Sequence, residues 1–161
     1  MSEIGFGKHD HSACISGALE AAEQVCSAQG LRLTKGRRRV LEILVQEHRA
    51  MGAYDILAVL SDEGFGAQPP VVYRALEFLV SNGFAHKIEK LNAYVACSHP
   101  QEGDHAPVFL ICKSCGIVAE GDAPKRKSDL QQQAQESGFV IETTVMEAEG
   151  LCPTCVPGGE A

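Results

Sequence analysis

Residues 69–88 read PPVVYRALEFLVSNGFAHKI, and the period of that stretch changes part-way along. Val72, Ala75, Leu76, Leu79 and Val80 recur at helical spacing, and Tyr73, Arg74 and Glu77 fall on the opposite face. Pro69-Pro70 suits the first helical turn, where no amide hydrogen is needed. Asn82-Gly83 supplies the stop. Beyond it Phe84–Ile88 and Tyr94–Cys97 have the length and composition of two short strands, with a turn near Leu91-Asn92. A helix closed by glycine and followed at once by a small hairpin is the feature that decides the fold.

Working backwards, three more helical patterns precede it. Ala18–Gln29 is rich in strong helix formers and stops at Gly30. Thr34 is placed to cap a second helix, whose apolar stripe is Val40, Leu41, Leu44 and Val45. A third runs from Ala53, with Ile56, Leu57 and Leu60 on one side, and ends near Gly64. Helices followed by a hairpin predict a winged helix-turn-helix over residues 1–97, with residues 1–15 as a disordered extension. Ser98–Pro107 is a polar loop containing Gly103 and two prolines, and it marks a domain boundary. Residues 98–161 then predict a strand (Val108–Cys112), a strand (Ile117–Glu120), a helix (Ala123–Ser137) and a strand (Phe139–Ala148). The fold class is α+β, a winged helix followed by a small α/β domain.

The formal charge of −7 over 161 residues argues against nucleic acid only if charge is spread evenly. It is not. Leu31–Arg39 holds Arg32, Lys35, Arg37, Arg38 and Arg39 without an acid, whereas the C-terminal half is the more acidic of the two. Charge alone is equally compatible with a solvated helix face. No apolar run approaches the ~20 residues that span a bilayer. Met1–Asp10 is Gly-rich and polar, unlike a signal peptide, so a cytoplasmic, reducing setting is expected. There, seven cysteines are ligands or reactive thiols before they are disulfides.

Cys112-Lys-Ser-Cys115 and Cys152-Pro-Thr-Cys155 are two CxxC knuckles. Each presents two thiolates from one tight turn, and two such turns complete a tetrahedron suited to zinc. A redox dithiol or an iron–sulfur cluster are the rival readings. A closed set of four sulfurs leaves no position for substrate, which points to a structural metal. His86, Cys97, His105 and Glu120 bracket the domain boundary and offer a mixed S/N/N/O set, better matched to zinc than to calcium or magnesium. Spacing by itself leaves them equally readable as loop histidines, with His99 a competitor, and a core cysteine. His9, His11 and Cys14 form a further cluster, best read as a frayed terminus with incidental metal affinity. Cys26 reads as helix core or a surface thiol. A zinc hydrolase or deaminase, with Glu120 as general base, is the reading from a different class. Against it, His105 is followed by Ala-Pro and His86 by Lys-Ile, so no HxE signature is present. A zinc module that only mediates protein contacts is a third.

Leu33-Thr34 with Arg37 and the Val40-Leu41 helix, Ala53-Tyr54-Asp55, residues 69–79 and Gly83–Lys87 together resemble the ferric-uptake-regulator family, in particular its zinc-uptake-regulator branch. The resemblance runs from about Glu20 to Cys155. It implies a winged-helix domain and an α/β dimerisation domain, with a structural zinc on Cys112, Cys115, Cys152 and Cys155. It also implies a regulatory zinc on His86, Cys97, His105 and Glu120, giving two Zn(2+) per chain. Such a protein is a homodimer that binds double-stranded DNA, expected to be an AT-rich inverted repeat, and represses zinc-uptake genes when zinc-loaded. It is not an enzyme, has no small organic substrate and does not meet the membrane. On the helix after Pro70, the resemblance makes Arg74 the base reader, with Tyr73 and Tyr54 as further contacts. Lys35, Arg37 and Arg38 are then phosphate contacts. The iron- and peroxide-sensing branches share the layout; Cys97 among the donors points to zinc. Lys35-Gly36 and the N-terminal extension depart from the family pattern, and neither touches the sites.

Overall fold

The computed structural model describes residues 11–47, 49–98, 100, 107–122 and 127–158. Its order is α1 (His11–Gln29), α2 (Lys35–Gln46), α3 (Ala53–Asp62), α4 (Pro69–Ser81), β1 (Ala85–Ile88), β2 (Ala93–Ala96), β3 (Pro107–Cys112), β4 (Val118–Asp122), α5 (Lys127–Glu136) and β5 (Met146–Gly150).

The four predicted helices are present, and their ends follow the expected chemistry. Thr34 Oγ1 accepts the Arg37 amide at 3.3 Å, and Asp55 Oδ2 accepts the Gly52 amide at 3.2 Å. Gly30, Gly64 and Gly83 take positive φ just past α1, α3 and α4, a conformation that costs a residue with a Cβ. The apolar stripes meet in one core, in which Leu41, Leu44, Ile56, Leu76 and Leu79 are fully buried.

Some expectations need correction. The helix α1 begins at His11, so the disordered extension expected to residue 15 is overturned over residues 11–15; residues 1–10 lie outside the described residues. Cys14, Ile15 and Ala18 pack on the core and lengthen the helix. The last strand is Met146–Gly150 rather than Phe139–Ala148. Its ladder partner β3 starts at Pro107, and the parallel register begins at Val108↔Met146, so among the described residues no strand pairs with 139–145. The second strand of this module is shifted to Val118–Asp122, and α5 is described as Lys127–Glu136.

Two sheets result. β1 and β2 form the antiparallel wing, and β3 stands between antiparallel β4 and parallel β5. The 49–51 segment joins them: Met51 exchanges both backbone hydrogen bonds with Tyr94 of β2, and Arg49 bridges to Ile117. A second core lies between the sheets. Ile88 and Val95 of the wing are buried with Phe109 and Ile111 of β3. Strand alternation explains the sharing. Ala85, Tyr94 and Ala96 pack on the helical core, so their neighbours His86, Ile88 and Val95 point the other way, towards the C-terminal sheet. Among the described residues no helix is long and apolar enough to cross a membrane.

Candidate metal centres and nucleic-acid face

Parallel pairing of β3 with β5 places Cys112 opposite Gly150. Both strands therefore end on the same side, and each runs into a cysteine knuckle. In the first, Gly116 at φ 75° returns its amide to the Cys112 carbonyl; in the second, the amides of Cys155 and Val156 return to Cys152. One ligand atom from each of Cys112, Cys115, Cys152 and Cys155 lies within 4.8 Å of the others. Cys115 Sγ and Cys152 Sγ are 3.7 Å apart. A tetrahedron with metal–sulfur bonds of ~2.3 Å has edges of about 3.8 Å, so this pair stands at zinc spacing and the whole set is compact enough to close on one ion.

The electrostatics fit a dication. Backbone amides of Cys115 and Cys152 hold the Cys112 thiol down at about 6. The Cys152 amide donates to Cys112 Sγ at 3.3 Å. For Cys155 the Ser114 side chain lowers the pKa, but the adjoining Cys152 sulfur, burial and the other two sulfurs outweigh it and push the thiol up to about 12. The first thiolate forms easily, and a crowded neighbour keeps its proton until a cation arrives. Cys26, by contrast, is buried in the helical core, and burial raises its thiol despite Arg37.

Three of the four mixed-site donors come together. His86 (β1), Cys97 (just past β2) and Glu120 (β4) each offer an atom within 4.8 Å of the others. His86 Nε2 is 3.3 Å from Glu120 Oε1, and Cys97 Sγ is 3.8 Å from that oxygen. Glu120 Oε2 accepts the Ser98 amide at 2.8 Å, which fixes the carboxylate's direction. The His86 ring rests against Phe109, with centroids 5.4 Å apart. Imidazole, thiol and carboxylate converging on one side-chain-lined point fit a borderline-soft dication such as zinc. His105 and the competing His99 lie outside the described residues, as does His9.

The basic residues divide. Arg74, Tyr73 (44% exposed) and Tyr54 (67% exposed) lie on solvent-facing surfaces of α4 and α3, and Lys35 is exposed at the start of α2. Arg37 has a structural duty: its guanidinium sits 3.8 Å above the Phe78 ring and donates to the Arg32 carbonyl at 2.7 Å. Arg38 is engaged by Glu23 and Glu42, and Arg39 by Glu42 and Glu63, so these charges are largely neutralised within the chain. Among the described residues no ion pair engages Arg74.

Sequence reasoning missed two contributors. Glu147 of β5 accepts the backbone amides of Glu89 and Lys90 in the wing turn, at 2.6 and 3.0 Å. The Arg49 side chain lies along Gly116 of the first knuckle. The alternation of Met146-Glu-Ala-Glu-Gly150 marks a strand but does not say what Glu147 meets, and Arg49 had no signal at all.

A winged helix packed on a cysteine-knuckled α/β sheet, with candidate metal ligands drawn from both, defines a helix-turn-helix class of protein. The family model described as "Ferric uptake regulator family" matches residues 28–149, and the chain belongs to that family. It is 39% identical to the zinc uptake regulation protein of Escherichia coli K12, over 86% of this chain and 81% of that one. A structure of a zinc uptake regulator complexed with zinc and DNA superposes with TM-score 0.84 at 38% identity, covering 88% of this chain and 95% of the other. Holo XcZur superposes at 0.79, covering 86% and 96%, and apo XcZur at 0.53, covering 90% and 99%, both at 39% identity. At the same identity, the chain superposes better on the holo structure than on the apo one.

Proposed function

We propose that this protein is a zinc-responsive transcriptional regulator, a homodimeric repressor of zinc-uptake genes that binds DNA when zinc-loaded. The observation that carries the reading is the cluster of His86 and Cys97 from the wing with Glu120 from the C-terminal sheet. With His105 as fourth donor, these residues would hold a regulatory zinc, whose positive charge and tetrahedral preference let the four donors share one centre. The cysteine quartet would hold a second, structural zinc. The thiol among the regulatory donors favours zinc over the iron- and peroxide-responsive alternatives.

The chain's own residues do the rest. Closing the donor set fixes the wing, and with it α4, against the sheet that joins the protomers. Phe139 (66% exposed), Val140 (81%) and Val145 (54%) offer the apolar surface for that joining. A two-fold dimer with its two α4 helices at a fixed separation matches two half-sites of an AT-rich inverted repeat. Arg74 then reads a base edge, Tyr73 and Tyr54 contact base or backbone, and Lys35 and Arg37 meet phosphates. Arg38 reaches phosphate only by giving up Glu23 and Glu42. This work belongs to a regulator in the cytoplasm rather than to an enzyme.

Fluorescence anisotropy on an AT-rich inverted-repeat duplex, with zinc or with chelator, tests the reading, together with metal analysis. Zinc-dependent binding and two zincs per chain, one easily stripped, are expected. Binding that ignores zinc, or a single zinc per chain, sinks it.

A further inference from the structure

The wing turn, Glu89–Asn92, is closed by the Asn92 amide on the Glu89 carbonyl. Its backbone also presents two successive amides, those of Glu89 and Lys90, in one direction. Adjacent amides aimed alike form a small concavity that attracts an anion. On a DNA-binding wing the expected anion is a phosphate. Here it is the carboxylate of Glu147, one oxygen to each amide, at 2.6 and 3.0 Å. Lys90 Nζ also lies 3.2 Å from Glu149, the next residue of β5 on the same side.

The register shows that this is part of the same face as the regulatory donors. Phe109 pairs with Glu120 on one side and with Glu147 on the other, so these three side chains project from one face of the sheet. That face meets the wing. His86, at the base of the hairpin, reaches Glu120; the turn, at its tip, reaches Glu147; Ile88 and Val95 are buried between them on Phe109 and Ile111.

We propose that Glu147 is a positioning residue, a metal-independent tie that holds the wing tip to the sheet and sets the zinc concentration at which the protein binds DNA. The inference rests on the zinc-gated reading above. Zinc and Glu147 act on the same closed arrangement, so whatever Glu147 contributes to closure is not demanded of zinc. The tie also removes the wing turn from the list of DNA contacts, because its anion-seeking amides are occupied by the protein's own carboxylate.

The test uses the full-length chain with Glu147→Gln, which keeps the shape but sets an amide against one backbone N–H, and with Glu147→Ala. Both are expected to keep the quartet zinc and the dimer. The zinc concentration for half-maximal DNA binding should rise roughly tenfold, with binding at saturating zinc restored. Hydrogen exchange at the Glu89 and Lys90 amides should accelerate in variants stripped of the labile zinc, while the parent stays protected. A residue that merely helped folding would lower the fraction of binding-competent protein and leave the zinc midpoint in place, and that result overturns the proposal. So does loss of the quartet zinc or the dimer in both variants, or unchanged exchange. If the parent itself shows no zinc midpoint, the zinc-gated reading fails instead, and the exchange measurement still judges the tie.

Discussion

The imidazole of His86 lies 3.3 Å from the carboxylate of Glu120, although one stands on the wing and the other on the middle of β4. That pair joins the two sheets at the base of the wing, with Cys97 beside it and the buried Ile88–Val95–Phe109–Ile111 contact next to it. A ligand set built across a shared core gives metal binding a direct mechanical consequence. On the zinc-gated reading proposed above, completing the set would favour one arrangement of α4 relative to the C-terminal sheet.

Replacing Cys97 with serine removes the softest donor of the mixed site but none of the quartet. The expected protein is a folded dimer that retains one tightly held zinc per chain and loses zinc-stimulated DNA binding. Zinc titration followed by anisotropy, with circular dichroism as a fold control, checks this. Unfolding would mean that the roles of the two sites are reversed.

Arg74→Ala should relax sequence choice. Its loss is expected to cost roughly 1–3 kcal/mol on the cognate duplex and much less on a scrambled one, as for a base contact. Lys35→Ala should weaken both duplexes alike and flatten the salt dependence, as for a phosphate contact. Equal losses for Arg74→Ala on the two duplexes would count against direct readout.

The quartet should release protons when it loads. Cys112, held down at about 6, is largely thiolate at pH 7.5, whereas Cys155, pushed up to about 12, is protonated and must lose its proton to bind. Depressed Cys112 therefore adds nothing to the proton count above its pKa and adds one proton below it. Zinc retention should fall with acidity, more steeply once pH drops below about 6. Calorimetry in buffers of different ionisation enthalpy measures the count, and a count of zero at pH 7.5 would refute the assignment. Cys152→Ser should unfold the C-terminal module, since metal-binding energy on the order of 10 kcal/mol is folding energy in so small a unit.

Val140→Asp places a charge on the most exposed of the apolar residues before β5. If that surface joins two protomers, sedimentation should show a shift towards monomer while the helical core keeps its melting temperature. A dimer of unchanged stability would assign the interface elsewhere.

What could be read from residue order was local. The four helices of the winged domain, their caps at Thr34 and Gly83, the hairpin after it and the two knuckles all rest on contacts within a few residues, and periodicity records those directly. The quartet was legible for the same reason, because each CxxC turn makes half of a site by itself. Tertiary structure decided the rest. The length of β5 depended on where β3 starts, so an apolar run from Phe139 misled. Arg38 and Arg39 look like a free basic patch until Glu23, Glu42 and Glu63 are seen beside them. The donors His86, Cys97 and Glu120, weak as a spacing pattern, acquire meaning only when β1, β2 and β4 face one another. Glu147 was invisible because its partners are backbone amides, which every residue but proline carries and no sequence distinguishes.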